Sequence, residues 1–387
     1  MAGLRALLIA AIVCTTLGLL RVYDRLLTGL QDSVIWTKAI EGSQSQHHGK
    51  QHAHAAKNGA KRGTILDRCY SGRFHGYWDF GFSRMRFFDP VCDESLVTLV
   101  KMPQSVDASS SKTEFLQGHT DLTLFDRLEG SCILMLGDST DRQILEQWCP
   151  RWDSNRKRVE VWMPENGAKR LSRGQNAKAG ASCKAHNKFS FGQYTLYGVC
   201  PPPYWVYAHM YLKGPQDLVW GNTTKTRVIQ DVPKFFRRCD EVGHDKFKVV
   251  VLQSYLWDLS REGLYSNWTR PSPRFISDWA QNVTTLVRWV REAVPDAAIA
   301  WRFAGDIVAG SGRDAQAMHD MNQAILALGD EMMVDFFTDY GAVLDSTLAS
   351  VKNIGPFDAH PPDEPRTGYV NLMLNALVAA YDSKVNA

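Results

Sequence analysis

The chain of 387 residues is long enough for one large α/β domain with accessories or for two domains of ordinary size. Its 44 Lys and Arg nearly balance 41 Asp and Glu, a formal charge of +3 that leaves no electrostatic footprint for nucleic-acid binding. Acidic glycans and anionic lipid headgroups stay open as local partners.

The chain begins with an apolar run, Leu4 to Leu20, closed by Arg21 and Arg25. We read residues 1–25 as an uncleaved signal anchor in preference to a cleaved signal peptide, because no Ala-x-Ala-like site follows the run. Residues 26–64 form a polar linker, and His47, His48, His52 and His54 within it read as solvated rather than metal-binding. No metal or other cofactor is assigned. Residues 65–125 make a cysteine- and aromatic-rich lobe with Tyr70, Phe74, Tyr77, Trp78, Phe80, Phe82, Phe87 and Phe88. Packing against the main domain is preferred over sugar stacking for these rings.

Three sequons, at Asn222, Asn267 and Asn282, join the leader and the cysteines in placing the bulk of the chain in the lumen or outside the cell. Of the eight cysteines, Cys14 lies in the leader. We expect Cys69, Cys92, Cys149, Cys183, Cys200 and Cys239 to pair among themselves, and Cys132 to remain a core thiol because it falls inside a buried strand.

From residue 126 to 387 strands and helices alternate. Strands are predicted at 133–137, 159–163, 194–199, 248–253, 297–303 and 332–337. Helices are predicted at 140–148, 232–241, 273–293 with Ser272 as N-cap, 313–328 and 367–381. This spacing argues for an α/β fold, a mainly parallel sheet covered on both faces, with its site at the carboxyl ends of the strands.

At that edge lies Gly137-Asp138-Ser139, where an apolar strand runs into a helix. A serine there has an exposed hydroxyl, and the helix aims its first N–H groups at any anion forming beside it. Gln253, after the strand 249–252, and Gly198 are candidate donors to such an anion. His360, in a proline-flanked loop before the last helix, is the candidate base, with Asp358 to orient it. Arg142, one turn into the helix, is read as bracing Asp138 or the loop.

The blocks Gly137-Asp138-Ser139-Thr140-Asp141-Arg142-Gln143, Leu252 to Leu259, Ala300-Trp301-Arg302-Phe303 and Asp358-Ala359-His360 occur in the order seen in SGNH/GDSL-type hydrolases. Over residues 131 to 381 the chain most resembles their PC-esterase branch, which includes the trichome-birefringence-like O-acetyltransferases. The resemblance implies a flavodoxin-like three-layer sandwich and a catalytic set of Ser139, His360 and Asp358. Ser139, Gly198 and Gln253 would then form the oxyanion hole, supported by Asp138 and Arg142. It departs from the family in two places. Gln253 stands where Asn is usual, and the acid lies two residues before the histidine instead of three, which leaves Asp363 as an alternative to Asp358.

The resulting expectation is serine-dependent acyl transfer on luminal glycans or glycoproteins, either O-acetyl transfer from an acyl donor or ester hydrolysis, in a single-pass type II protein of the Golgi or endoplasmic reticulum membrane. A secreted form is the alternative location. The rival functions are an inactive glycan-binding module and a structural protein of the secretory pathway.

Overall fold

The computed structural model describes residues 64–79, 84–96, 123–152, 159–163, 180–196, 198–199, 224–256, 258–259, 271–305, 312–344 and 363–385. The leader, the histidine-rich linker, Cys200, Asn222, Asn267, Asp358 and His360 lie outside these residues. Among the described residues no helix is long and apolar enough to cross a membrane.

A seven-stranded sheet is built from β3 (Ser131–Gly137), β4 (Glu160–Met163), β5 (Gly180–Ala185), β6 (Phe189–Thr195), β7 (Phe247–Leu252), β8 (Ala298–Phe303) and β9 (Phe336–Asp339). Its order is β4-β5-β6-β3-β7-β8-β9. β6, β3, β7, β8 and β9 pair in parallel, while β5 runs antiparallel to both β4 and β6. Counted along the chain, the five parallel strands are arranged 2-1-3-4-5. This is the doubly wound α/β order in which ligands settle where successive crossovers part to opposite faces. That point lies between β3 and β7.

The alternation of side chains explains the layers. Ile133 and Met135 of β3 face one core with Val249 and Val251 of β7, whereas Cys132, Leu134 and Leu136 face the other with Val250 and Leu252. The first core is closed by α4 (Ser139–Trp152) and α8 (Asp363–Val385), the second by α5 (Val232–Glu241), α6 (Pro273–Ala293) and α7 (Gly312–Leu328). Helix α6 starts where Ser272 accepts a hydrogen bond from the Phe275 N–H at 3.1 Å and Pro273 sets the first turn. It buries Phe275, Trp279, Val283, Leu286, Val287 and Val290 along one stripe.

Of the aromatic-rich segment, α1 (Ile65–Cys69), the hairpin of β1 (Gly76–Asp79) and β2 (Arg84–Phe87), α2 (Pro90–Ser95) and α3 (Thr123–Arg127) are described. Tyr70, Phe74, Met85 and Phe87 share the first core with Phe336 and Tyr340. The carbonyl of Tyr70 accepts from the N–H of Phe337, and Arg73 pairs with Asp339 at 2.6 Å. These residues therefore extend the sandwich beyond β9.

Two expectations are corrected. The strand predicted at 194–199 runs earlier, over Phe189–Thr195, because the positive φ of Gly198 turns the chain away, and β5 pairs beside it where no strand was predicted. Cys132 is not a free thiol. It is bonded to Cys239, with Cα atoms 6.0 Å apart, while Cys69 joins Cys92 and Cys149 joins Cys183. The strand interior was judged unsuitable for a bridge, but alternation turns Cys132 toward the face covered by α5, where Cys239 is its packing neighbour.

Candidate active site

Ser139 is the first residue of α4, directly beyond the carboxyl end of β3, and is partly exposed between buried Asp138 and Thr140. Asp138 closes the turn: one carboxylate oxygen accepts from the Thr140 N–H at 2.8 Å and from the Thr140 hydroxyl at 2.6 Å. The helix is thus capped by the residue before the serine.

Gly137 makes the turn possible. A Cβ there would fall 1.8 Å from Asp141 Oδ2 and 2.4 Å from Gln253 Nε2, so both side chains converge over its Cα. Its carbonyl accepts from the N–H of Leu196 on the β6 side, and the Gln253 N–H bonds to the carbonyl of Leu136 at 3.0 Å on the β7 side. Ser139 therefore sits at the β3–β7 switch point, with Gln253 at the end of the facing strand.

Gln253 is buried, and its Nε2 donates to Asp141 Oδ2 at 3.1 Å. The other Asp141 oxygen lies 3.0 Å from Arg302 Nε, with side-chain exposures of only 1% and 3%. Arg302 also donates to the Thr140 hydroxyl at 2.9 Å and lies over the rings of Tyr340 and Tyr369, 5.0 and 5.8 Å from their centroids. Burial raises the Asp141 carboxyl to about 6, against the pull of Arg302. Burial opposes the charge on Arg302, but Asp141 beside it holds the guanidinium firmly protonated. The same burial keeps Tyr340 and Tyr369 neutral far above their ordinary range.

Gly198 adopts φ +93°, the left-handed region open to glycine. Its carbonyl accepts from the buried Thr224 hydroxyl at 2.9 Å, and the next N–H, of Val199, donates to Asp258 at 2.9 Å. Asp258 also accepts from Ser254, the residue that follows Gln253 at the β7 end. The Gly198 turn is consequently tied to the same strand end as Gln253.

The structure brings together Ser139, Asp138 and Gln253 at one edge and shows Gly198 held in a turn beyond β6. The side chain of Arg142 stands near Glu146 on its own helix, at 3.8 Å, while Asp138 is held by Thr140. His360 and Asp358 lie outside the described residues, as does the side chain of Asp363. Asn282 lies on α6. No group of three or more His, Cys, Asp or Glu suited to a metal occurs among the described residues.

Asp141, Arg302, Thr140 and Asp258 were not predicted as site residues. Arg302 carried a usable signal, since a charge in an otherwise apolar strand must find a buried partner. Asp141, in the serine block, was the acid nearest to hand.

No family model and no curated protein matches the chain. Among solved structures it is similar to an acetylxylan esterase from Geobacillus stearothermophilus, with 13% identity over 65% of this chain and 96% of that one and a TM-score of 0.37. A GDSL-like lipase from Parabacteroides merdae gives 15% identity over 66% and 96%, with a TM-score of 0.35. A peptidoglycan O-acetylesterase gives 10% over 68% and 94%, with a TM-score of 0.29. At 10–15% identity and these scores, the similarities say nothing about the chemistry of Ser139.

Proposed function

We propose that this chain is a serine-dependent acyl-transfer enzyme of the SGNH type, acting on O-acetyl esters of glycans or glycoproteins in the secretory pathway. The observation that carries the reading is the placement of Ser139: partly exposed, at the carboxyl end of β3, at a helix N-terminus and at the switch point of the sheet. In this reading Ser139 Oγ bonds to the ester carbonyl carbon as His360 takes the hydroxyl proton. The tetrahedral oxyanion collapses, the sugar alkoxide leaves with that proton, and the acetyl group remains on Ser139. Water or a second sugar hydroxyl then takes the acetyl group by the same steps in reverse. Asp358 or Asp363 orients His360, and the N–H groups of Ser139, Gly198 and Gln253 bind the oxyanion.

The test uses the full-length chain with an activated aryl acetate and a fluorophosphonate. Labelling of Ser139, with turnover lost in Ser139→Ala, is the expected result. An unlabelled Ser139 and unchanged turnover in Ser139→Ala would overturn the proposal. Addition of acetylated oligosaccharide and a free acceptor sugar then separates hydrolysis from transfer.

A further inference from the structure

The bond between Gln253 and Asp141 joins a strand-end amide to a carboxylate in the first turn of α4. The Gln253 side chain lies over Gly137, where a Cβ would fall 2.6 Å from its Cγ and 2.4 Å from its Nε2. There its Nε2 meets Asp141 Oδ2 at 3.1 Å, and both atoms crowd the Gly137 Cα, where no side chain intervenes. A primary amide nitrogen carries two N–H groups. Asp141 accepts one of them.

A carboxylate accepts and cannot donate, so this contact also decides which way round the amide sits. With Nε2 facing Asp141, the nitrogen and its second N–H lie beside Gly137, the first residue of the serine turn. Were the amide reversed, its carbonyl oxygen would face both the Asp141 carboxylate and the forming oxyanion, a repulsion on each side. Asp141 is in turn held by Arg302 at 3.0 Å, and Arg302 reaches the turn through Thr140, whose hydroxyl bonds to Asp138. The chain Arg302–Thr140–Asp138 fixes the serine, and the chain Arg302–Asp141–Gln253 fixes the amide. One buried guanidinium thus serves both.

We infer that Asp141 is a positioning residue, which holds the Gln253 amide nitrogen toward the Ser139 turn and so completes the oxyanion hole. The inference rests on the Ser139 reading above. Asp141 touches neither substrate nor acyl group, and its effect passes wholly through Gln253. It follows that Asp141 influences the rise to the tetrahedral state and leaves ground-state binding of the ester nearly untouched.

The test is a double-mutant cycle on the full-length chain with an activated aryl acetate. Loss of one oxyanion donor costs about 10²–10³ in rate. Gln253→Met, which removes the N–H groups at similar shape and adds no charge beside Asp141, is expected to lower kcat by about that factor, with KM within about twofold. Asp141→Asn, whose own amide can present a donor to Gln253 and reverse it, is expected to lower kcat by about 10- to 100-fold, again at nearly constant KM. The double variant should be no slower than Gln253→Met alone, because both changes remove the same donor.

Multiplying losses, a rise in KM with kcat unchanged, or an Asp141→Asn variant that matches the parent would each overturn the inference. Asp141→Asn leaves Arg302 uncompensated, so urea denaturation is run on each variant and kcat is read where all of them are folded. The same three outcomes are decisive under those conditions. Fluorophosphonate labelling of the parent separates the two levels. A labelled Ser139 with multiplying losses sinks only the role of Asp141, while an unlabelled Ser139 sinks both.

Discussion

The two ends of the central sheet each hold a serine in a buried polar setting, and only one end resembles a site. At the amino end, Ser190 near the start of β6 is bonded to His244 Nδ1 at 2.8 Å, a ready-made serine–histidine pair. Both residues are only 7% exposed, and Ser190 lies within a strand instead of at the first turn of a helix. At the carboxyl end, Ser139 is partly exposed at the first turn of α4, and its surroundings are polar groups locked to one another. A serine touching a histidine is therefore a poor criterion on its own. What matters is the strand end, the helix N-terminus and access for a substrate.

The sharpest way to break this comparison is to remove each serine. Ser139→Ala should reduce aryl acetate turnover by at least about 10⁴-fold, as loss of a serine nucleophile does elsewhere. Ser190→Ala should leave turnover within about twofold while lowering stability by about 1–3 kcal/mol, the penalty for a stranded buried partner. Equal activity losses at the two ends would erase the distinction.

Next in size is Arg302→Ala, which strands the Asp141 carboxylate. Urea denaturation should show a loss of about 3–5 kcal/mol. A loss below about 1 kcal/mol would mean that the guanidinium does not hold the serine end together.

The two ends should also respond to pH with opposite sign. Asp141 is raised by burial from its ordinary 3.8 to about 6, so its contribution to stability is complete below 3.8 and is lost as pH rises through 6. His244 is lowered by burial from 6.5, so its contribution is complete above 6.5 and is lost as pH falls through its depressed value. Melting temperatures measured from pH 4 to 7 should accordingly lose their fall in Asp141→Asn and their low-pH drop in His244→Gln. If both variants flatten the curve in the same direction, burial does not govern both groups.

The smallest effect belongs to a position at neither end. Ser272→Ala removes the N-cap of α6 and should cost about 1 kcal/mol with activity unchanged.

What could be read in the chain was what depends on local pattern. Helix α6 has the limits predicted for it because Ser272, Pro273 and a regular apolar stripe all act within a few residues. The strand before Ser139 and the Val-rich β7 were equally plain, since strands buried on both faces are nearly continuous apolar runs. β5 was missed because Gly180-Ala-Ser-Cys-Lys-Ala185 has little hydrophobic signal and owes its conformation to pairing with β6. Ser139, Asp138, Gly137 and Gln253 could be placed because they follow strand ends. The bond between Asp141 and Gln253 could not, since it joins residues 112 positions apart through side-chain geometry that no local pattern records.

The bridge between Cys132 and Cys239 spans 107 positions and encloses the shorter one between Cys149 and Cys183. The antiparallel ribbon of β4 and β5, the Gly198 turn and helix α4 all lie inside this covalent ring. A single peptide-bond cut anywhere between residues 133 and 238 cannot separate the chain into two molecules. A nicked protein should migrate as one species until a reductant is added, and the strand that leads to Ser139 should stay attached to the helix beneath it after the backbone has been opened.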